Sequence, residues 1–210
     1  ILMGLLLDRS GIANNRMKNL SKLFGSINGG LAISVSLIGL LLAASTGIIG
    51  ASVVLLALLG LPIMLKEGYD PSFASGTVCA VGTLGILIPP SIMLVLMADR
   101  MAMSVGDLFL GAVFPGLILA ALYIAYILIF GFFRSEQAPA AFNDKFEIKD
   151  LVSLLQSILP PLLLIIAVLG SIFFGIATPT EAAGVGATGA LLLTVINKQF
   201  KKTMLIEVLQ

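Results

Sequence analysis

The stretch that decides the fold of this chain is Gly82-Thr83-Leu84-Gly85-Ile86-Leu87-Ile88-Pro89-Pro90-Ser91. It lies within an uncharged segment, Pro71 to Ala98, which is long enough to cross a bilayer, since about 20 apolar residues in a helix span the hydrocarbon core. Proline removes a backbone donor and disfavours helical geometry in the residue before it. The pattern therefore predicts a broken membrane helix over residues 71–98, unwound near Gly85 to Ile88, whose second half begins at Pro89 and Pro90.

The composition of the whole chain indicates an integral membrane protein. Hydrophobic residues make up 59% of the 210 residues and charged residues 11%, whereas about a quarter of the residues in soluble domains are charged. The mean hydropathy is +1.12, and the segments Leu23 to Leu65 and Leu108 to Phe133 are also free of charge. A chain of this size cannot bury all these segments against one another, so they are expected to face lipid.

The same composition excludes several classes of site. Histidine is absent, and the one cysteine, Cys79, lies inside an apolar segment. Disulfide bonds, Cys/His metal sites and histidine-dependent nucleophile pairs are therefore removed from consideration, and we do not expect an enzyme. The net charge of +1 gives no reason to expect nucleic acid as a partner.

Residues 29–64 form a second uncharged segment, divided by Ala43-Ala44-Ser45-Thr46-Gly47. Its arms, Leu31 to Leu42 and Ile48 to Leu59, would each rise about 18 Å as helix, which is less than the thickness of the hydrocarbon core. We therefore expect a re-entrant helical hairpin with its tip at the small residues. Two complete crossings would give the same charge distribution, so length alone favours the hairpin.

The remaining segments complete the predicted topology. A helix over residues 108–133 precedes a cytoplasmic connector at 134–150, and two further spans follow at 151–174 and 182–196. In this arrangement every basic residue except Arg100 lies on one face of the membrane, as the positive-inside rule requires. The chain has no initiating methionine, and its last residues begin a segment that does not finish, so we expect an internal fragment.

The candidate ion or substrate site combines the two interrupted elements. Carbonyl oxygens freed at half-helix ends and serine or threonine hydroxyls suit sodium, while helix N-termini suit anions. The predicted site residues are Ser45, Thr46, Gly47, Gly82, Thr83, Gly85, Pro89, Pro90 and Ser91. The sodium candidates among them are Ser45, Gly47, Gly82 and Gly85. In the alternative interpretation the hydroxyls bond to their own helices, the glycines serve packing and the prolines only kink the helix.

A separate motif, Thr178-Pro179-Thr180-Glu181, has the pattern of a helix start. Thr178 would be the N-cap, Pro179 the first helical residue and Glu181 the third, where its carboxylate closes a capping box. A structural role is the favoured interpretation. A gating or proton-linked carboxylate at the membrane edge is the alternative.

Together these motifs resemble the large permease subunit of tripartite ATP-independent periplasmic (TRAP) transporters. The segments that carry the resemblance occur in the family's order: Leu40 to Ser52, Gly68 to Asp70, Gly82 to Ser91 and Gly175 to Ala183. The resemblance implies an all-α, inverted-repeat, elevator-type membrane fold. Residues 1–133 would form most of the first repeat, and residues 151–210 the truncated start of the second.

The resemblance also implies a function. A TRAP permease subunit takes up an organic acid, such as a C4-dicarboxylate or sialic acid, by sodium symport. Its partners are a periplasmic substrate-binding protein and a small membrane subunit, and it lies in the inner membrane of a bacterium or archaeon as a multi-pass protein. Sodium is the coupling ion, and no other cofactor is implied. A single-component elevator-type anion symporter and a non-transporting membrane scaffold remain the alternatives.

Overall fold

The computed structural model describes residues 23–141 and 148–196, and within these ranges every regular element is a helix. The predicted segments Ile1 to Leu7, Asp8 to Lys22 and 197–210, and part of the connector, lie outside the described residues. The helices in the described ranges are α1 (Gly30–Thr46), α2 (Ile49–Leu59), α3 (Leu61–Lys66), α4 (Pro71–Leu87), α5 (Ile92–Met101), α6 (Val105–Phe133), α7 (Ile148–Phe173) and α8 (Pro179–Ile196).

Helices α1 and α2 form an antiparallel hairpin. Gly39 of α1 contacts Leu56 of α2, whereas Val35, one turn earlier in α1, contacts Gly60 just after α2. Because the contacts run in opposite directions along the two helices, the chain reverses at Gly47. The 11 residues of α2 rise about 16 Å, and α3 follows directly after Gly60 and continues this arm to Lys66.

Helix α4 packs against both arms of the hairpin and contributes to the hydrophobic core of this half of the molecule. The buried cluster combines residues of α1, such as Leu31, Val35 and Ile38, with Val78 and Val81 of α4. Serines inside α1 satisfy their hydroxyls within the helix, as Ser34 and Ser36 do by donating to carbonyls four residues earlier. Buried polar side chains are tolerated here because they are bonded in this way.

The broken helix is present, but it breaks later than the sequence analysis predicts. Helix α4 continues through Gly85 to Leu87, and Ile88 is extended with φ −90° and ψ 117°. The prolines lie in the break itself, joined by a cis peptide bond, and α5 begins only at Ile92. The predictions that the unwound stretch starts at Gly85 and that the prolines open the second half-helix are therefore wrong. The physical reason is that each proline restricts the residue before it, while glycine is tolerated inside a packed helix.

The remaining helices flank this core. Helix α6 has 29 residues, begins at the N-cap Ser104 and contains Pro115. Helices α7 and α8 pack on each other, with Gly189 against Leu164. Helix α6 alone among the described helices is long and apolar enough to span a membrane, and α4 with α5 passes the same test as a pair bent by 42°. Helices of membrane-span quality are thus present.

Candidate functional site

The tip of the hairpin is a two-residue step between α1 and α2. Gly47 has φ +63°, a left-handed conformation that glycine adopts without a steric penalty. Ile48 is extended, with φ −128° and ψ 120°, and α2 then starts at Ile49 without a side-chain cap. The tip therefore presents the last carbonyl groups of one helix beside the first amide groups of the next.

The break between α4 and α5 also leaves helix-end carbonyl groups without helical donors, and the two prolines contribute to this. In a continuous helix the carbonyl oxygens of Gly85 and Ile86 would accept hydrogen bonds from residues 89 and 90. Those residues are prolines and have no N–H, so the helical bonds cannot form. The last bond of the helix runs from the Ile88 amide to the Leu84 carbonyl, at 2.9 Å. Two carbonyl groups at the end of α4 are thereby left without their helical donors.

The structure places the tip directly against the break. A Cβ atom built on Gly47 would lie 2.8 Å from the carbonyl oxygen of Pro90 and 3.4 Å from the Cα atom of Ser91. The two irregular segments therefore touch through their backbones, with no room for a side chain between them. Two helices end in this region, at Thr46 and Leu87, and two begin there, at Ile49 and Ile92.

Ser91 stands out in this region because its side-chain hydroxyl is buried and lacks a hydrogen-bond partner among the described residues. It is 1% exposed, and within the described residues its Oγ atom has no hydrogen-bond partner. It is the N-cap of α5, yet its hydroxyl does not cap that helix. A buried hydroxyl without a partner is destabilising by roughly 1–3 kcal/mol in proteins. A hydrogen-bond acceptor at this position, such as a water or ligand oxygen, would satisfy the hydroxyl proton, and the lone pairs of Oγ would suit a cation.

At the hairpin tip, the hydroxyl of the predicted site residue Ser45 already has a hydrogen-bond partner. The Ser45 Oγ atom donates to the Leu41 carbonyl oxygen at 2.7 Å, as the structural alternative proposed. Its oxygen keeps lone pairs for a cation, since a hydroxyl is one donor and two acceptors. Thr46 is the last residue of α1, and its side chain lies outside the described part of the structure.

Two predicted site residues are placed away from the break. Gly82 lies inside α4, where a Cβ atom would be 3.2 Å from the Cα atom of Val53 in α2, so this glycine lets the two helices approach closely. Thr83 is exposed, and its hydroxyl donates to the Ala80 carbonyl oxygen at 2.6 Å. Gly85 and Pro89 are buried at the break. The structure thus brings Gly85, Pro89, Pro90 and Ser91 to the same end of α4 as the tip.

Two further residues lie near the break, and one of them, Gly116, was not singled out from the sequence. A Cβ atom on Gly116 of α6 would lie 3.1 Å from the Ile88 side chain and 3.5 Å from the Leu87 carbonyl oxygen. Ala44, three residues before Gly47, belongs to the buried cluster formed with α7 and α8. A glycine after Pro115 in an apolar helix is an ordinary feature, so no sequence signal marked this contact.

The Thr178 motif has the geometry of a capping box. The Thr178 amide and hydroxyl both donate to Glu181 Oε2 at 2.8 Å, and the Glu181 amide donates to the Thr178 hydroxyl at 3.4 Å. Helix α8 accordingly begins at Pro179. These bonds employ the carboxylate at a helix start, which agrees with a structural role.

The chemistry available at the site is that of neutral oxygens and amides. Residues 71–98 carry no charged side chain, and among the described residues no three His, Cys, Asp or Glu side chains come together. A cation here would be held by carbonyl and hydroxyl oxygens, the ligands that hard cations take. An anion would meet the amide groups of the helix N-termini.

The whole sequence, residues 1–210, matches the family described as "Tripartite ATP-independent periplasmic transporter, DctM component". The chain belongs to this TRAP transporter family. It is 37% identical over 187 residues to the C4-dicarboxylate TRAP transporter large permease protein DctM of Pseudomonas aeruginosa, a match that covers 89% of this chain and 43% of that protein.

Other relatives of this TRAP permease chain carry different substrate names. The ectoine TRAP transporter large permease protein TeaC of Halomonas elongata is 31% identical, with 92% of this chain and 44% of that protein covered. The isethionate TRAP transporter permease protein DctMQ of Oleidesulfovibrio alaskensis is 28% identical, with 92% and 30% covered. The chain thus spans less than half the length of these curated relatives, all of which are transporter permeases.

Proposed function

We propose that this chain is part of the permease subunit of a sodium-coupled TRAP transporter that imports an organic acid supplied by a periplasmic binding protein. The observation that carries the proposal is the contact of the hairpin tip at Gly47 with the break at Pro90 and Ser91, where the Ser91 hydroxyl is buried and has no hydrogen-bond partner in the part of the chain that the structure describes. The substrates named for the relatives vary, from C4-dicarboxylate to ectoine and isethionate, and an organic acid is the class that we propose.

The sodium ion would bind at the carbonyl ends of α1 and α4. The Gly85 and Ile86 carbonyl groups lack their helical donors because residues 89 and 90 are prolines, and the helix dipole makes both C-termini partly negative. The Ser91 hydroxyl and the lone pairs of Ser45 add neutral oxygens. Of the sodium candidates predicted from the sequence, this arrangement favours Gly85, Ser45 and Gly47, while the packing contact of Gly82 favours a structural role for that residue.

The substrate anion would bind at the N-termini of α2 and α5. Neither terminus has a side-chain cap, and both carry the partial positive charge of a helix start. No lysine or arginine is present in residues 71–98, so amide groups and a bound sodium ion would balance the charge of the substrate in this part of the site. Sodium and the anion would then strengthen each other's binding, because coupling between two sites is reciprocal. This gives symport a physical basis.

The remaining parts of the proposal come from the family. A small TRAP membrane subunit and a periplasmic binding protein would be the partners, and the inner membrane the location, with several crossings. The hairpin would be re-entrant, and an inverted repeat of the hairpin and the broken helix would complete the site. The permease would work as an elevator in which these two elements carry the substrate.

The deciding experiment is uptake by the full-length protein with its partner subunits in proteoliposomes. Replacing external sodium by potassium at constant ionic strength should abolish uptake of a radiolabelled organic acid. Uptake that continued unchanged in potassium would refute sodium coupling. A requirement for the added binding protein separates a TRAP transporter from a single-component symporter.

A further inference from the structure

The base of the hairpin, defined as Asn28 to Gly30 where it begins and Lys66 to Asp70 where it ends, is bound to one short turn after α6. The Gly29 amide donates to the Ala138 carbonyl oxygen, and the Asp70 amide donates to the Gln137 carbonyl oxygen, both at 2.9 Å. Two consecutive carbonyl groups therefore hold the two ends of the hairpin together. Ala138 is fully buried.

The turn that supplies these carbonyl groups is itself well defined. The Arg134 carbonyl oxygen accepts from the amides of Gln137 and Ala138, at 3.0 and 3.3 Å. Both peptide groups thus have their donors and their acceptors satisfied. The Arg134 guanidinium lies 5.8 Å from the centre of the Phe130 ring, and that ring stacks on Phe73 of α4 at 4.2 Å. The turn is consequently tied to α4 as well as to α6.

Close backbone contact joins the same base to α6. A Cβ atom on Gly131 would lie 2.5 Å from the Asn28 carbonyl oxygen and 2.8 Å from its carbon, and one on Gly29 would lie 3.1 Å from the Ile127 carbonyl oxygen. The Tyr69 hydroxyl accepts a hydrogen bond from the Leu31 amide at 3.2 Å, which links the end of the hairpin directly to its beginning.

We infer that residues 134–138 are a clasp that fixes the base of the hairpin to α4 and α6 and so positions the tip against the break. Helix α1 has 17 residues and spans about 25 Å, so a small rotation at its base would displace Gly47 from Pro90. The clasp is argued from these contacts alone, and only its importance for transport rests on the proposed function.

The test uses amide hydrogen exchange on the purified full-length protein, because this readout requires neither sodium nor substrate. The variant Gly131→Ala inserts a methyl group between α6 and Asn28. Gly111→Ala is the matched control, since a Cβ atom at Gly111 of the same helix meets nothing within 4 Å. We expect Gly131→Ala to speed exchange at residues 48–52 and 91–95 by about tenfold, the change expected for a modest loss of local stability, while Gly111→Ala leaves it unchanged.

A second pair of variants addresses the clasp by removing one hydrogen bond, in case Gly131→Ala does not fold. Asp70 has φ −57°, which proline can adopt. Asp70→Ala removes the N-cap carboxylate and keeps the amide, whereas Asp70→Pro also removes the amide that donates to Gln137. Faster tip exchange in Asp70→Pro than in Asp70→Ala supports the clasp. Equal exchange in the two variants, or exchange in Gly131→Ala that changes only at residues 28–31, overturns it.

Failure of the proposed function would look different. If Gly131→Ala loosened the tip but wild-type uptake did not depend on sodium, the clasp would stand and sodium coupling would fall. If uptake depended on sodium and the tip exchanged alike in all variants, the coupling would stand and the clasp would fall.

Discussion

Gly47 lies so close to Pro90 that a methyl group on the glycine would come within 2.8 Å of the proline carbonyl oxygen. This contact joins the hairpin to the broken helix at the point where four helix ends meet. Gly47 has φ +63°, so the shape of the tip and its contact with Pro90 both depend on glycine having no side chain.

The first prediction concerns that contact. Gly47→Ala should raise the sodium concentration for half-maximal uptake by about tenfold, because left-handed geometry costs a non-glycine residue roughly 1–2 kcal/mol and the methyl group meets the Pro90 carbonyl. Gly50→Ala in α2 is the control, as a Cβ atom there has open space. Equal sodium dependence in both variants would show that the tip is not part of the site.

The second prediction separates function from stability at Ser91. Ser91→Ala removes a buried hydroxyl that has no partner among the described residues, so the unfolding temperature should stay equal or rise slightly. Sodium affinity should nevertheless fall several-fold, since a ligand oxygen is lost. The control is Ser75→Ala, whose exposed hydroxyl bonds only to carbonyl groups of its own helix. Thermal unfolding and sodium titration of uptake would be measured on the same preparations, and lower stability with unaltered sodium affinity would contradict the assignment.

The third prediction concerns Gly82, for which the sequence left a ligand role and a packing role open. Gly82→Ala places a methyl group 3.2 Å from the Val53 Cα atom and should lower the free energy of unfolding by about 1–3 kcal/mol through overpacking. Gly76→Ala in the same helix should be neutral, because its Cβ atom meets nothing within 4 Å. Normal stability combined with weakened sodium binding in Gly82→Ala would instead establish a ligand role.

The fourth prediction concerns alkaline pH. Burial raises the pKa of the Tyr69 phenol from 10.0 to about 12, with the hydrogen bonds from backbone amides acting in the opposite direction. The stabilisation from this neutral phenol is fully present below pH 10 and is lost as the pH rises from 10 towards 12, because the unfolded chain ionises first. At neutral pH, Tyr69→Phe should lower the free energy of unfolding by about 1 kcal/mol, because it removes the hydroxyl that accepts the hydrogen bond of the Leu31 amide.

The measurement is the unfolding temperature of wild type and Tyr69→Phe between pH 8 and 11. The wild-type value should fall more steeply above pH 10, so that the difference between the two proteins narrows. A difference that stayed constant across this range would mean that the phenol does not contribute through its protonation state.

The sequence could predict the two interrupted elements because their cause is local. Proline lacks a donor wherever it occurs, and a run of small residues between short apolar arms indicates a turn without reference to any neighbour. The position of the break could not be fixed equally well. Gly85 remains helical because α4 is packed on both hairpin arms, and this tertiary support is invisible in the local pattern.

Contacts between distant segments were the part that sequence reasoning could not supply. Neither the approach of Gly116 to Ile88 nor the bond from Gly29 to Ala138 has a compositional signature, because each depends on how helices far apart in the chain are arranged. The lack of a partner for the Ser91 hydroxyl among residues 23–141 and 148–196 could not be predicted for the same reason. An N-cap serine ordinarily bonds to its own helix, so its exception can be recognised only once the geometry is known.

The two prolines of the break also determine how this segment can change during evolution. Any other amino acid at position 89 or 90 brings a backbone N–H, and that hydrogen would be available to the carbonyl of Gly85 or Ile86. Such a replacement would extend α4 and occupy a carbonyl group at its end even if the new side chain matched proline in size and polarity. Which substitutions are tolerated at positions 89 and 90 consequently depends on the backbone N–H. Substitution scales based on side-chain similarity will therefore predict the wrong replacements.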